Sequence, residues 1–168
     1  MNTQLTITIA GQDHPQLINQ LAAKTHELGG KWLVSKINRL DNQIVGLIKV
    51  DIPAETVAML KQAFTGLTDL NVRIIDSPQL VSKGTVEPLK LKVESSDRPG
   101  IVNDITNILD DIGIDIVKIE NYRVGVPDLG QALFFAELTV EVPSEVNVEQ
   151  LLEAVQQVED GMRVSVVE

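Results

Sequence analysis

The sequence predicts an α+β fold: two β-α-β-β-α-β units in tandem, each an antiparallel sheet with helices on one face. Two observations carry this. The stretch Asp97-Arg-Pro-Gly-Ile-Val-Asn103 is echoed 84 residues earlier by Asp13-His-Pro-Gln-Leu-Ile-Asn19, so both read Asp-x-Pro-x-apolar-apolar-Asn. Each copy follows an alternating apolar–polar run and precedes apolar residues at helical spacing, the two periods that separate strand from helix. Copies that keep register over a whole supersecondary unit argue for duplication of one fold.

In the first half, Leu5-Thr-Ile7-Thr-Ile9 alternates and predicts a half-buried strand. Leu17, Ile18, Leu21 and Leu28 predict a helix that Gly29-Gly30 ends. Residues 32–40 and 43–52 are β-rich, with Asp41-Asn42 between them as a hairpin signal and Pro53 as the stop. A helix is expected near 54–66, with Val57, Leu60 and Phe64 on one face, and Asn71–Ile75 is the closing strand. Ser, Pro and Gly punctuate the next stretch, so a linker is expected at 79–87 between domain 1 (1–78) and domain 2 (88–168).

The second half repeats the plan. Leu89–Val93 alternates, and Ile101, Val102, Ile105, Leu109 and Ile112 predict a helix ended at Gly113, which matches Gly29. Ile114–Val124 reads as a long strand in which Arg123 matches Arg39. Gly125–Gly130 is expected to be a loop, six residues longer than its counterpart. Beyond it the offset becomes 90, so that Pro143 matches Pro53 and Arg163 matches Arg73. Ala132–Val142 is strand-like, Val148, Leu151, Leu152, Val155 and Val158 predict a helix, and Met162–Val166 closes the sheet.

A unit of this order and size is ferredoxin-like, with four antiparallel strands and both helices on one side. Its other face is open. Ile44-Val45 with Leu47-Ile48, and Phe134-Phe135, put apolar residues on both faces, so a partner surface is expected, within the chain or in a dimer.

Composition narrows the function. The chain has no cysteine, which excludes disulfides, thiolate catalysis and cysteine-ligated metals. Aromatic residues are only 3%, which weakens any mechanism built on base stacking. The first nine residues lack the pattern of a signal peptide and no apolar run nears the ~20 residues of a membrane span, so a cytoplasmic protein is expected. Residues 81–168 hold seven Lys/Arg against seventeen Asp/Glu, while residues 1–80 hold seven of each, so the whole net charge of −10 lies in the second half. Nucleic acid and anionic membranes would repel such a surface, whereas a basic protein partner would not be repelled.

The repeated turn is the candidate site. The residue before a proline is pushed out of the helical region, so Arg98 and His14 are expected to be extended. Pro99 and Pro15 are expected at the first helical position, where a missing N–H costs nothing. The N–H groups that follow would face outward at the positive end of the helix dipole, suited to a carboxylate or phosphate. Gly100 is expected to let a ligand approach the backbone, and Gln16 to fill part of that space in the first copy. On that reading Gly100→Leu blocks the turn without unfolding the domain.

With motif, element order and repeat together, the sequence resembles a tandem of ACT domains. Ser96-Asp97-Arg98-Pro99-Gly100-Ile101-Val102 carries the family's turn in full, and the resemblance covers nearly the whole chain. Two such units without a catalytic or DNA-binding domain look most like the glycine cleavage system transcriptional repressor group. The resemblance implies regulation: a small effector, often an amino acid such as glycine or serine, bound near the turn by Asp97, Arg98, Pro99, Gly100, Ile101, Val102 and Asn103. The effector carboxylate would meet the helix N-terminus, and Asn103 would sit near a polar group. Asp97 would meet the ammonium or brace the loop. In the first copy Asp13, His14, Gln16, Leu17 and Asn19 are a secondary site. The resemblance also implies action through a DNA-binding regulator protein rather than on DNA.

Two other classes stand beside this one. A docking module with no small ligand is consistent with Gln16 and with the missing output domain. An enzyme of amino-acid metabolism finds little support. His14 and His26 are twelve residues apart, and His26 is expected on the outer side of a helix. No metal-ligand spacing, Gly-x-Ser-x-Gly or phosphate-binding loop occurs, and no metal or cofactor is expected. Asp110-Asp111 diverge by about 100° on a helix and make no paired-carboxylate site.

Overall fold

The computed structural model describes residues 1–77 and 88–168; the expected linker at 79–87 lies outside the described residues. The chain forms two compact units, Met1–Leu80 and Val81–Glu168. In the first, β1 (Asn2–Gln12), α1 (Leu17–Glu27), β2 (Lys31–Leu40), β3 (Gln43–Pro53), α2 (Val57–Thr65) and β4 (Leu70–Asp76) follow one another. In the second, β5 (Pro88–Ser96), α3 (Ile101–Ile112), β6 (Asp115–Val126), β7 (Gln131–Glu141), α4 (Val148–Gln156) and β8 (Arg163–Val166) repeat that order. The sheets are antiparallel and ordered β2-β3-β1-β4 and β6-β7-β5-β8, which is the predicted ferredoxin-like arrangement twice over.

Alternation decides the layers. Leu5, Ile7 and Ile9 of β1 and Ile44, Ile48, Val50 and Ile52 of β3 are buried, and Leu17, Leu21, Leu60 and Phe64 of the helices close over them. The second core repeats this with Leu91, Val93, Phe134, Ala136, Leu138 and Val140 under Ile101, Ile105, Leu109, Leu151 and Val155. The opposite sheet faces are open. Val45 and Leu47 are 57% and 51% exposed, and Tyr122 stacks on half-buried Phe135 with ring centroids 5.2 Å apart. Partly buried Trp32 donates from Nε1 to Thr25 Oγ1 at 3.1 Å, and that hydroxyl donates to the Leu21 carbonyl at 2.8 Å.

The copies agree in fine detail. A β-bulge interrupts β2 between Trp32 and Val34 and β6 between Ile116 and Lys118, the same place in both. Extra residues of this kind increase local twist. Three expectations need correction. The insertion after β6 is only partly loop: Gly125 and Val126 extend β6 against Ala132 and Gln131, leaving 127–130 as the turn. The first hairpin turns on Asp41 and Asn42 alone, both at positive φ (49° and 63°), the conformation a tight two-residue hairpin requires. Second, α2 is preceded by a single 3₁₀ turn, Ala54–Thr56, so the α-helix starts three residues later than expected.

Third, Arg163 does not match Arg73. Arg163 pairs with Glu94, while Asn71 pairs with Ala10, so Arg163 occupies the place of Asn71. The offset at the closing strand is therefore 92 rather than 90, although it is still 90 where Ile7 faces Ile48 and Leu91 faces Leu138. Two more residues have entered around α4. A small shift of this kind leaves the apolar pattern readable while moving every charged residue beyond it.

Candidate functional site

The turn after the first strand of each unit is the same object in both. Leu17 N–H donates to the His14 carbonyl at 3.3 Å, and Ile101 N–H to the Arg98 carbonyl at 3.4 Å. Pro15 and Pro99 occupy the second position, and the third is left-handed: Gln16 at φ 70°, ψ 4° and Gly100 at φ 79°, ψ 4°. That is the pattern of a type II turn, with proline second and a positive-φ residue third. The helices begin only at Leu17 and Ile101. The expected placement of Pro15 and Pro99 at the first helical position is thus corrected: they sit two residues earlier and set the turn instead.

A Cβ built at Gly100 meets only Arg98 Nη1, at 3.8 Å, so packing within the protein does not select glycine there. The backbone does, because a left-handed residue with a side chain is disfavoured by about 1–2 kcal/mol. Gly100→Leu therefore carries a conformational cost of its own and does not act by bulk alone. Gln16 bears the same strain in the first copy.

The side chains of the turn are largely engaged within the protein. Asp97 Oδ2 lies 2.7 Å from Arg123 Nε, and Asp13 Oδ2 lies 2.7 Å from Arg39 Nε. In both copies the aspartate ties the turn to the neighbouring hairpin, with the backbone adding Asp97 N–H to Ala132 and Asp13 N–H to Asn42. Asp97 thus braces the loop. Arg98 reaches the other way, pairing with Glu159 and with Asp104 Oδ2 at 2.7 Å, and donating to the carbonyls of Val158 at 3.2 Å and Pro99 at 3.1 Å. Glu159 first, and Asp104 second, hold its guanidinium above the ordinary arginine range, so it stays charged. Arg98 joins the start of α3 to the α4–β8 connection, a contact 61 residues apart in sequence that spacing alone does not reveal.

The remaining candidates separate by burial. Ile101 and Leu17 are buried core residues, and Val102 packs partly against the core. Asn103 and Asn19 are exposed. Ile101 N–H is spent on the turn and Asp104 N–H on Gly100, so the N–H groups of Val102 and Asn103 are the ones at this helix start without a partner among the described residues. In the first copy His14 takes the place of Arg98, its Nδ1 lying 3.0 Å from the Pro15 carbonyl. A cavity of about 70 Å³ lies between His14 and the Leu67–Leu70 connection, far below the roughly 300 Å³ of ordinary ligand sites. His26 is exposed, on the outer side of α1 as expected. No group of three or more potential metal ligands occurs among the described residues, and no helix among them is long and apolar enough to cross a membrane.

The ACT domain pattern matches the chain twice, over residues 3–69 and 84–165. The chain belongs to the ACT domain family. ACT domains are regulatory modules, and this chain is a tandem of two. Its fold is shared with a protein of unknown function from Galdieria sulphuraria (TM-score 0.86, 19% identity, 99% of this chain and 98% of that one). It is also shared with a protein provisionally assigned as a glycine cleavage system transcriptional repressor (TM-score 0.69, 16% identity, 100% and 99%). At these identities the likeness establishes the tandem ACT fold. No curated protein matches the sequence significantly.

Proposed function

We propose that this tandem ACT protein is a non-enzymatic regulator of amino-acid metabolism, acting on the glycine cleavage system. It senses a small amino-acid effector and acts by contact with a DNA-binding transcription regulator in the cytoplasm. The observation that carries this reading is the pair of complete ACT units, matched end to end by the structure assigned as a glycine cleavage repressor. Charge supports a protein partner. Helices α3 and α4 carry Asp104, Asp110, Asp111, Glu149 and Glu153 and no Lys or Arg, a face that attracts a basic protein and repels nucleic acid. The exposed apolar residues on the open sheet faces support a homodimer.

The mechanism is linkage: an effector shifts the regulator only as far as it prefers one arrangement over another. The test is thermal unfolding of the full chain against a panel of amino acids, glycine and serine first. An effector present at a hundred times its Kd stabilises the folded state by about 2.7 kcal/mol, well within detection. A shift for one or two amino acids supports a sensor.

A second reading has its own support. Asp97 and Arg98, the charged residues expected to hold the effector, already have protein partners. A docking module without a small ligand would show no shift for any amino acid, yet would still be retained by the regulator in a pull-down.

A further inference from the structure

The two units differ at one place that the repeat makes conspicuous. In the first, β4 pairs with β1 from Leu5–Asp76 to Gly11–Leu70, and Gln12 N–H donates to the Asp69 carbonyl at 3.0 Å. This closure depends on Gly11: a Cβ there would stand 2.2 Å from the Asp69 oxygen, so any side chain forbids it. The second unit has Ser95 at the corresponding position, and its side chain is buried. Accordingly β8 begins late. Its ladder with β5 ends at Glu94–Arg163, and the chain turns away at Gly161, φ 80°. Ser96 N–H, the counterpart of the Gln12 N–H, has no acceptor among the described residues.

The result is a notch of about 280 Å³ on the open face, lined by Glu94, Ser96, Leu133, Phe135, Gly161 and Arg163. Its chemistry is ordered. Cross-strand pairing places Glu94 between Phe135 and Arg163, and Ser96 beside Leu133, all on one face. Leu133 and Phe135 form an apolar wall, continued by the Tyr122 ring stacked on Phe135. Arg163 makes no ion pair among the described residues, so its guanidinium is available. Glu94 lies 3.4 Å from Lys92, on one carboxylate oxygen, and keeps the other.

We propose that this notch is the effector site, and that its ligand is an α-amino acid with an apolar side chain. Arg163 and Ser96 N–H take the carboxylate, Glu94 takes the ammonium, and Leu133 and Phe135 cover the side chain. A planar guanidinium is the group best matched to a carboxylate, and a cavity near the lower end of the ligand range suits a single amino acid. The inference rests on the effector reading above, but it moves the site from the turn to the strand that leads into it and changes the preferred ligand from glycine to a larger one.

The experiment is isothermal titration of the full chain with L-leucine and with glycine, for wild type, Arg163→Gln, Leu133→Asp and the turn variant Asn103→Ala. Circular dichroism and the unfolding midpoint confirm that each variant is folded. The expected result is binding of L-leucine in preference to glycine, weakened at least tenfold by Arg163→Gln and by Leu133→Asp and unchanged by Asn103→Ala. Amino-acid binding that survives Arg163→Gln and is lost in Asn103→Ala overturns the notch while leaving an effector at the turn. No heat with either L-leucine or glycine at millimolar concentration overturns the notch, and no midpoint shift across the amino-acid panel overturns the effector reading as well.

Discussion

Asp97 and Arg123 meet at 2.7 Å, and Asp13 and Arg39, their counterparts 84 residues earlier, meet at the same distance. The contact survives in a copy whose turn has glutamine for glycine and histidine for arginine. It therefore belongs to the fold of the unit rather than to any ligand. Because the Arg123 side chain is 67% exposed, solvent screens the pair, and its worth is at most about 1 kcal/mol. A double-mutant cycle of Asp97→Asn with Arg123→Met, followed by urea unfolding, is expected to give a coupling energy below about 1 kcal/mol.

The left-handed turn residue makes an opposed pair of predictions. Gln16→Gly removes strain at φ 70° and is expected to stabilise the chain by up to about 1 kcal/mol, after the greater freedom of glycine in the unfolded state is set against it. Gly100→Ala is expected to destabilise by about 1–2 kcal/mol at φ 79°. Unfolding midpoints in urea measure both, and equal signs would contradict the turn assignment.

Arg98 links the start of α3 to the α4–β8 connection through Asp104, Glu159 and the Val158 carbonyl. Removing it with Arg98→Met is expected to loosen that connection while the sheet holds. Amide hydrogen exchange is the readout. The Met162 N–H, bonded to Glu159 O at 3.2 Å, should exchange faster, and Val93 in the strand core should not change. Because the guanidinium pKa is raised, Arg98 keeps its charge at every pH below the ordinary arginine range, and its side of the link is lost only as pH rises above it.

Asn147 caps α4, accepting from the N–H groups of Glu149 at 2.8 Å and Gln150 at 3.4 Å. It is the one helix start among those described with a side-chain cap. Asn147→Ala is expected to cost about 1 kcal/mol, and Asn147→Asp to retain most of it, as measured by thermal unfolding.

Most of the fold was legible because alternation and helical spacing report burial directly: Ile7, Leu91, Leu60 and Leu151 all fall where the periods place them. The proline pattern was legible as a turn, but Pro99 alone does not distinguish a first helical residue from the second residue of a turn. The signal that would have done so was Gly100 itself, which the third position of a type II turn favours and a helix start does not. The side-chain partners were not legible: Asp97 and Arg123 both recur in the repeat, but spacing alone does not pair them. Arg98 with Glu159 has no counterpart in the first copy, and the notch at Ser96 arises from Ser95 standing where the first unit has Gly11, a difference whose meaning depends on a backbone approach invisible in the sequence.

The single tryptophan and the single tyrosine fall in different units, Trp32 held against Thr25 in the first and Tyr122 stacked on Phe135 in the second. The protein is thereby labelled by its own optics. Emission excited through the indole comes from the first unit. The phenol ring, stacked on Phe135 beside the notch, would respond to a ligand bound there, so the first unit and the notch of the second carry separate intrinsic probes.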